Sequence, residues 1–273
     1  MLAPVQSGHT GQLRLLAIDA STVQERAAIQ TTYRLHTSID LVTLQVQQMR
    51  ITDDKTAEGV NNFELREGDI VLLDRGYNHN RLLVPLIDRG ADIILRYNPH
   101  GLCLYEQADL SSKINWMQRL RDYTTDQSFA VHLLHQGKAI PCWLHAHALS
   151  AEQAAESRRK VKATAKSKGQ TASDKRLLLA GWVLVLTSIA PDVLSFDSIC
   201  NLYRTRWQIE LAFKRMKSLL NIDQLRAKKG SKLAELYLLA KLLYTLVVEK
   251  LTSSQTHGYG HWWLSQASRR ITP

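Results

Sequence analysis

The sequence predicts an α/β fold, and three observations predict it. Asp69-Ile-Val-Leu-Leu-Asp74 carries four consecutive apolar residues, with Gly68 ahead and Arg75-Gly76-Tyr77 behind. A run of that kind is buried on both faces, as a central strand with helices around it is. Gln12–Ile18 is a second apolar strand, and it too runs into an aspartate, Asp19. Finally, 203–217 and 233–251 carry apolar residues at helical spacing, which gives the helices such a sheet needs.

The elements follow in order. After Asp19, the residues Ala20, Ser21 and Thr22 suit a turn. Residues 32–40 and 41–49 alternate with period two and predict neighbouring strands of a meander. Residues 56–65, with Glu58, predict a short helix. His79 to Asp88 predicts a helix stopped by Gly90, and Ile93-Ile-Leu-Arg96 a short strand ending in a polar residue. From 99 to about 175 the pattern is less regular, with alternating pieces such as Phe129–Leu134 and Ile140–Leu144. It ends in a basic stretch, 157–168, expected to be exposed; a solvated face and a DNA-backbone contact both fit it. Residues 177–189 predict a strand broken by Pro191, and Ser195 or Asp197 can cap the helix that follows. Asn221–Gly230 is a basic connection. In 233–251 the stripe Leu233, Leu236, Tyr237, Ala240, Leu243, Tyr244 and Val247 is expected to be core. The tail from Ser253, with Trp262 and Trp263, shows no clear pattern.

Composition narrows the function classes. With 273 residues the chain makes one large domain or two small ones, and its 45% apolar content is ordinary for a globular protein. No apolar run approaches a membrane span and the start lacks a signal pattern, so a soluble protein with no membrane partner is expected. Cys103, Cys142 and Cys200 are odd in number and widely spaced, which favours a reducing, cytoplasmic setting. Cys142, His145 and His147 lie close together without a second ligand pair, so a zinc site is not expected. The net charge of +10 suits a phosphate-backbone partner, or simply a basic enzyme.

Read as one helix at about 100° per residue, the stretch 203–217 places Tyr203, Arg206, Glu210 and Lys217 within roughly 60° of one another. An apolar stripe of Leu202, Ile209, Phe213, Met216 and Leu220 runs beside that face. A carboxylate can hold a divalent ion and the cations can hold phosphate, although an amphipathic surface helix with ordinary charge pairs has the same pattern. Asp19 and Asp74 at strand ends and Glu210 on a helix can converge at a sheet rim. Three such charges repel one another unless cations neutralise them. Two divalent ions do this and serve in-line phosphoryl displacement.

These residues carry a resemblance. Tyr203-x2-Arg206-x3-Glu210-x6-Lys217 matches, without a gap, the Y-R-E-K signature of bacterial transposases of the insertion-sequence-four family, which have a DDE catalytic core. Ile18-Asp-Ala-Ser-Thr22 resembles the family's first-aspartate motif, Leu73-Asp-Arg-Gly-Tyr77 the second, and Trp207 stands where the family usually has tryptophan. The resemblance covers about residues 13 to 250.

The resemblance implies a ribonuclease-H-like mixed sheet flanked by helices, with a β-rich insertion between Asp74 and Glu210. The expected segments are 1–98 and 177–252 as the two parts of the catalytic core, 99–176 as the insertion with its basic segment, and 253–273 as a tail. It also implies that Asp19, Asp74 and Glu210 bind two Mg²⁺ or Mn²⁺ ions and catalyse cut-and-paste transposition. Water cleaves the transposon end, and the freed 3′-hydroxyl attacks a phosphodiester, first across the duplex in similar enzymes and finally in target DNA. Tyr203, Arg206 and Lys217 would hold phosphates, with Trp207, Arg75 and Tyr77 as further DNA contacts and Trp143 or Trp182 as a stacking platform for a flipped base. The implied partners are double-stranded DNA, both inverted repeats and target, and a second copy of the chain on that DNA, in a nucleoid-associated setting. Similar transposases carry a helical DNA-binding segment ahead of the first aspartate, where this sequence has 18 residues. Recognition of the repeats is therefore expected to be lost or supplied by another chain. Two rival functions follow: a catalytically silent inhibitor that binds DNA or a transposase, and a simple metal-dependent nuclease.

Overall fold

The computed structural model of the chain describes residues 14–25, 32–225, 227 and 231–255. Trp262 and Trp263 lie outside the described residues, as do the first residues of the strand expected from Gln12 and positions 226 and 228–230 of the basic connection. In chain order the elements are β1 (Leu15–Glu25), β2 (Tyr33–Asp40), β3 (Gln45–Asp53), β4 (Ile70–Leu73), α1 (Asn80–Asp88), β5 (Asp92–Arg96), α2 (Trp116–Leu120), β6 (Gln127–His135) and β7 (Lys138–Ala148). There follow α3 (Ala151–Ser167), α4 (Asp174–Leu179), β8 (Trp182–Thr187), α5 (Phe196–Thr205), α6 (Trp207–Leu220), β9 (Gln224–Leu225) and α7 (Lys232–Gln255). The fold is mixed α/β with mostly antiparallel strands and flanking helices, in keeping with the ribonuclease-H-like expectation.

The chain divides into two compact units. One takes residues through Leu16 together with Gly59–Arg206; the other takes Ala17–Glu58 and the chain from Trp207 onward. In the first unit the strand order is β4-β5-β8-β7-β6. β4 and β5 are parallel, joined through α1, and Leu73 pairs in register with Leu95. β5–β8, β8–β7 and β7–β6 are antiparallel. The span 99–176 holds a long hairpin, β6–β7, set beside β8, together with α2, α3 and the start of α4. The basic stretch expected as an exposed segment is the regular helix α3. Ser150 and Gln153 form a capping box at its start, and a run of Ala, Lys and Arg favours helix.

In the second unit β2 pairs antiparallel with β3, with a register shift at Ser38/Ile39, and β9 pairs parallel with β1. Its core joins Ala17 and Val23 of β1, Leu35 and Ile39 of β2, Ile209, Phe213 and Met216 of α6, and Ala234, Leu238 and Leu242 of α7. Burial of each larger side chain contributes about 1.5–3 kcal/mol.

Several expectations need correction. β1 does not stop at Asp19 but runs on to Glu25, because Ser21, Val23 and Glu25 alternate inward with Thr22 and Gln24 outward. The second strand of the meander starts later than expected, at Gln45. The Asp40 carboxylate accepts from Val42 N and Thr43 N and holds 41–44 as a turn. The helix expected over 56–65 is only a 3₁₀ turn at Val60–Asn62, and 174–179 is helix α4 before β8 begins. The stripe expected as core on α7 faces outward. Leu236 is 61% exposed and Leu243 63%, while Ala234, Leu238 and Leu242 face the core. A helix apolar on all sides offers no single face to periodicity, so the pattern did not say which side turns inward.

The helix expected over 203–217 is two helices, interrupted at Arg206. Thr205 turns its hydroxyl back to the Leu202 carbonyl at 2.7 Å, and Arg206 N bonds the Tyr203 carbonyl at 3.1 Å, a tighter turn than the α-helical one. Tyr203 therefore belongs to α5, and Glu210 and Lys217 to α6. No helix among the described residues is long and apolar enough to cross a membrane.

Candidate active site

In the second unit, Asp19 sits mid-strand on β1, directly after the buried residues Leu16, Ala17 and Ile18. Its Oδ1 accepts from Ala20 N at 2.8 Å. Glu210 lies in the first turn of α6, where the free backbone N–H groups and the helix dipole favour a carboxylate. Burial of Ile209, Phe213 and Met216 fixes the rotation of that helix. The positions four and seven residues after Glu210 then carry Lys214 and Lys217 on its own side. Asp19, Glu210, Lys214 and Lys217 line one open cavity of about 560 Å³. A further acid, Asp223, which sequence reasoning passed over, lines it too.

In the first unit, β4 delivers Asp74 at its carboxyl end. Asp74 caps the 3₁₀ turn Arg75–Tyr77, its Oδ1 accepting from Gly76 N at 2.7 Å. Beside it, β5 delivers Arg96, since Leu73 and Leu95 are register partners and each is followed by its charged residue. The carboxyl ends of parallel strands are where open α/β sheets hold ligands. Arg96 is largely buried, and that burial, with the neighbouring Arg75 charge, lowers its pKa to about 10, so it remains cationic at neutral pH. Tyr203 of α5 completes the group. Burial raises its pKa, Arg206 and Arg96 pull it down, and Asp74 adds a smaller upward push. The Tyr203 phenol and the Arg206 side chain also share a hydrogen bond.

The expected site residues therefore fall into two clusters, each within one unit: Asp74, Tyr203 and Arg206 in the first, Asp19, Glu210 and Lys217 in the second. Arg75 is exposed beside Asp74, and Trp207, at the start of α6, is 38% exposed. Tyr77, expected as a DNA contact, has no exposed surface; its ring packs in the core. Trp182 is also buried, leaving Trp143 as the more accessible of the two expected stacking residues. Arg96 was missed, and the available signal was a short apolar strand ending in a cation, the counterpart of the one ending in Asp74.

Among the described residues, no group of three or more His, Cys, Asp or Glu side chains is gathered to hold a metal ion. Cys142 and His145 are buried on β7; His145 Nδ1 meets Ser128 Oγ at 3.0 Å and His147 Nδ1 meets Asp126 at 2.9 Å. The cavity holding Asp19 and Glu210 is lined by no sulfur or imidazole. Its carboxylate oxygens are the hard donors that Mg²⁺ or Mn²⁺ takes, so the donor set fits those ions.

Comparison with known proteins shows the family. Residues 10–246 match the family described as Transposase DDE domain. The chain is 30% identical over 251 residues to the transposase for insertion sequence element IS421 of Escherichia coli, covering 90% of this chain and 67% of that protein. It is 29% identical over 196 residues to the IS231F transposase of Bacillus thuringiensis subsp. israelensis, covering 66% of this chain and 40% of that protein. It is 27% identical over 234 residues to the IS231C transposase of Bacillus thuringiensis subsp. berliner, covering 79% and 48%. The chain belongs to the transposase DDE domain family.

Proposed function

We propose that this chain is a metal-dependent DNA transposase that cleaves at the ends of a mobile element and joins them to target DNA. The observation that supports this reading best is the cavity in which Asp19 and Glu210 stand with Lys214 and Lys217. Carboxylates paired with cations are what a site for divalent ions and phosphate needs.

In this reading Asp19, Asp74 and Glu210 are the metal ligands. Bound Mg²⁺ or Mn²⁺ supplies Lewis acidity at the scissile phosphate and stabilises the leaving oxygen. The chain's own residues position the DNA. Arg96, Arg206 and Lys217 hold phosphate oxygens by charge-assisted hydrogen bonds. Tyr203, whose proton burial retains, donates from its phenol. In the first step water adds to phosphorus and the bond to the 3′ oxygen breaks, leaving a 3′-hydroxyl and a 5′-phosphate. In joining, that hydroxyl attacks a phosphodiester of the target, and the displaced 3′ oxygen takes the proton.

The test is nicking of a supercoiled plasmid carrying the DNA that flanks this gene. The wild-type chain is expected to nick it in Mg²⁺, to stop in EDTA, and to fall to background in Asp19→Asn, Asp74→Asn and Glu210→Gln. Nicking that survives EDTA or Asp74→Asn would overturn the reading. Cut ends that are never joined would restrict it to a nuclease, and DNA binding without cutting would leave the inhibitor.

A further inference from the structure

A dense run of positive charge lies outside the cavity and outside the Asp74 group. Residues 151–176, which hold α3 and α4, carry eight basic side chains against three acidic ones, a balance of +5 in a chain whose total is +10. The helix α3 is 17 residues long and well anchored. Its capping box fixes the start, Ala154 and Ala165 turn inward, and Arg158 Nε donates to the Leu177 carbonyl at 3.2 Å, tying α3 to α4. Arg159, Lys162 and Lys166 are exposed and recur at spacings of three and four, within roughly 60° of one another. Lys168, at the helix end, is exposed as well. Arg159 and Lys160 share Glu156, which leaves Lys162 and Lys166 of the row, with Lys168 at the helix end, as the least neutralised charges.

We infer that the α3 row docks the sugar-phosphate backbone of double-stranded DNA, away from the reacting phosphate and without reading base sequence. The inference rests on the transposase reading for its choice of polyanion; the surface itself comes from the charge. Side-chain chemistry argues against the other acidic partners. The largest apolar residue on α3 is Val161, so the helix has nothing to insert into a bilayer. It also carries no aromatic residue and no large aliphatic one to anchor a protein interface. A rigid row of cations with only small residues between them is complementary to a uniformly charged backbone, where affinity comes from counterion release.

The test is the salt dependence of binding to a 30-base-pair duplex of arbitrary sequence, read by fluorescence anisotropy. The wild-type chain is compared with Lys162→Gln/Lys166→Gln/Lys168→Gln. Glutamine keeps helix propensity, and circular dichroism checks that the fold is unchanged. Each lost phosphate contact lowers the slope of log Kobs against log salt by about 0.9, so the triple variant is expected to be shallower by about 2.7. An unchanged slope in the triple variant overturns the inference even if nicking is intact. No binding by the wild type at low salt overturns both the inference and the transposase reading. A shallower slope in a chain that never nicks supports the docking surface and sinks only the transposase reading.

Discussion

At the scale of the residue, the two parallel strands that end in Asp74 and Arg96 repeat one device: a buried apolar run carries a single charge out at its carboxyl end. The acid was legible in the sequence because a motif surrounds it. The arginine was not, because Ile93-Ile-Leu-Arg96 matches any short strand and only pairing with β4 sets it beside Asp74. Arg96→Ala should reduce nicking kcat/KM about 10- to 100-fold, the range expected when a hydrogen bond to a charged group worth about 1.5–3 kcal/mol is removed. Arg96→Lys should recover part of that loss, since the charge returns without the guanidinium fork. An Arg96→Ala chain with wild-type kinetics would remove Arg96 from the site. Two buried histidines give a separate, pH-dependent prediction. Burial lowers the pKa of His145 to about 4; burial, then the charges of Arg34 and Arg50, do the same for His36. Both folded values lie below the ordinary 6.5, so the unfolded chain takes up protons first as pH falls. Stability should hold above about pH 6.5, decline between about 6.5 and 4, and stop declining on their account below that. Urea midpoints measured across that window should fall less steeply in His145→Phe than in the wild type.

At the scale of the element, the sequence placed most strands and helices but not their ends. β4, β5, α1 and the start of α5 were legible because a charge, a glycine or a capping serine marks their boundaries. The far end of β1 and the break at Arg206 were not. The first depends on alternation through polar residues, and the second on a threonine hydroxyl competing for a backbone carbonyl. The break assigns Tyr203 and Glu210 to separate helices, so what orients Glu210 is the packing of α6. Phe213→Ala should therefore cost about 3–5 kcal/mol by opening a cavity under α6. That cost would appear as a lowered urea midpoint with its slope unchanged. Loss of less than about 1 kcal/mol would mean that the site's helix is held by something else.

At the scale of the whole molecule, the transposase family was legible because three short stretches resembling its motifs occur in order along the chain. The division into two units was not, since the chain enters the second unit within β1, leaves it after Glu58 and returns at Trp207. Charge was legible in amount and became informative in place only once 151–168 proved to be an ordered helix. The outward apolar face of α7 has a consequence for handling the protein. Leu236, Tyr237, Leu239, Leu243, Tyr244, Val247 and Leu251 are exposed along a single helix, and apolar side chains grouped in this way favour association. Attraction between such surfaces strengthens on warming and weakens in urea. Light scattering from concentrated samples should rise between 4 and 37 °C and subside in dilute urea, below the unfolding transition. Leu243→Glu should flatten that temperature response while leaving the urea midpoint in place.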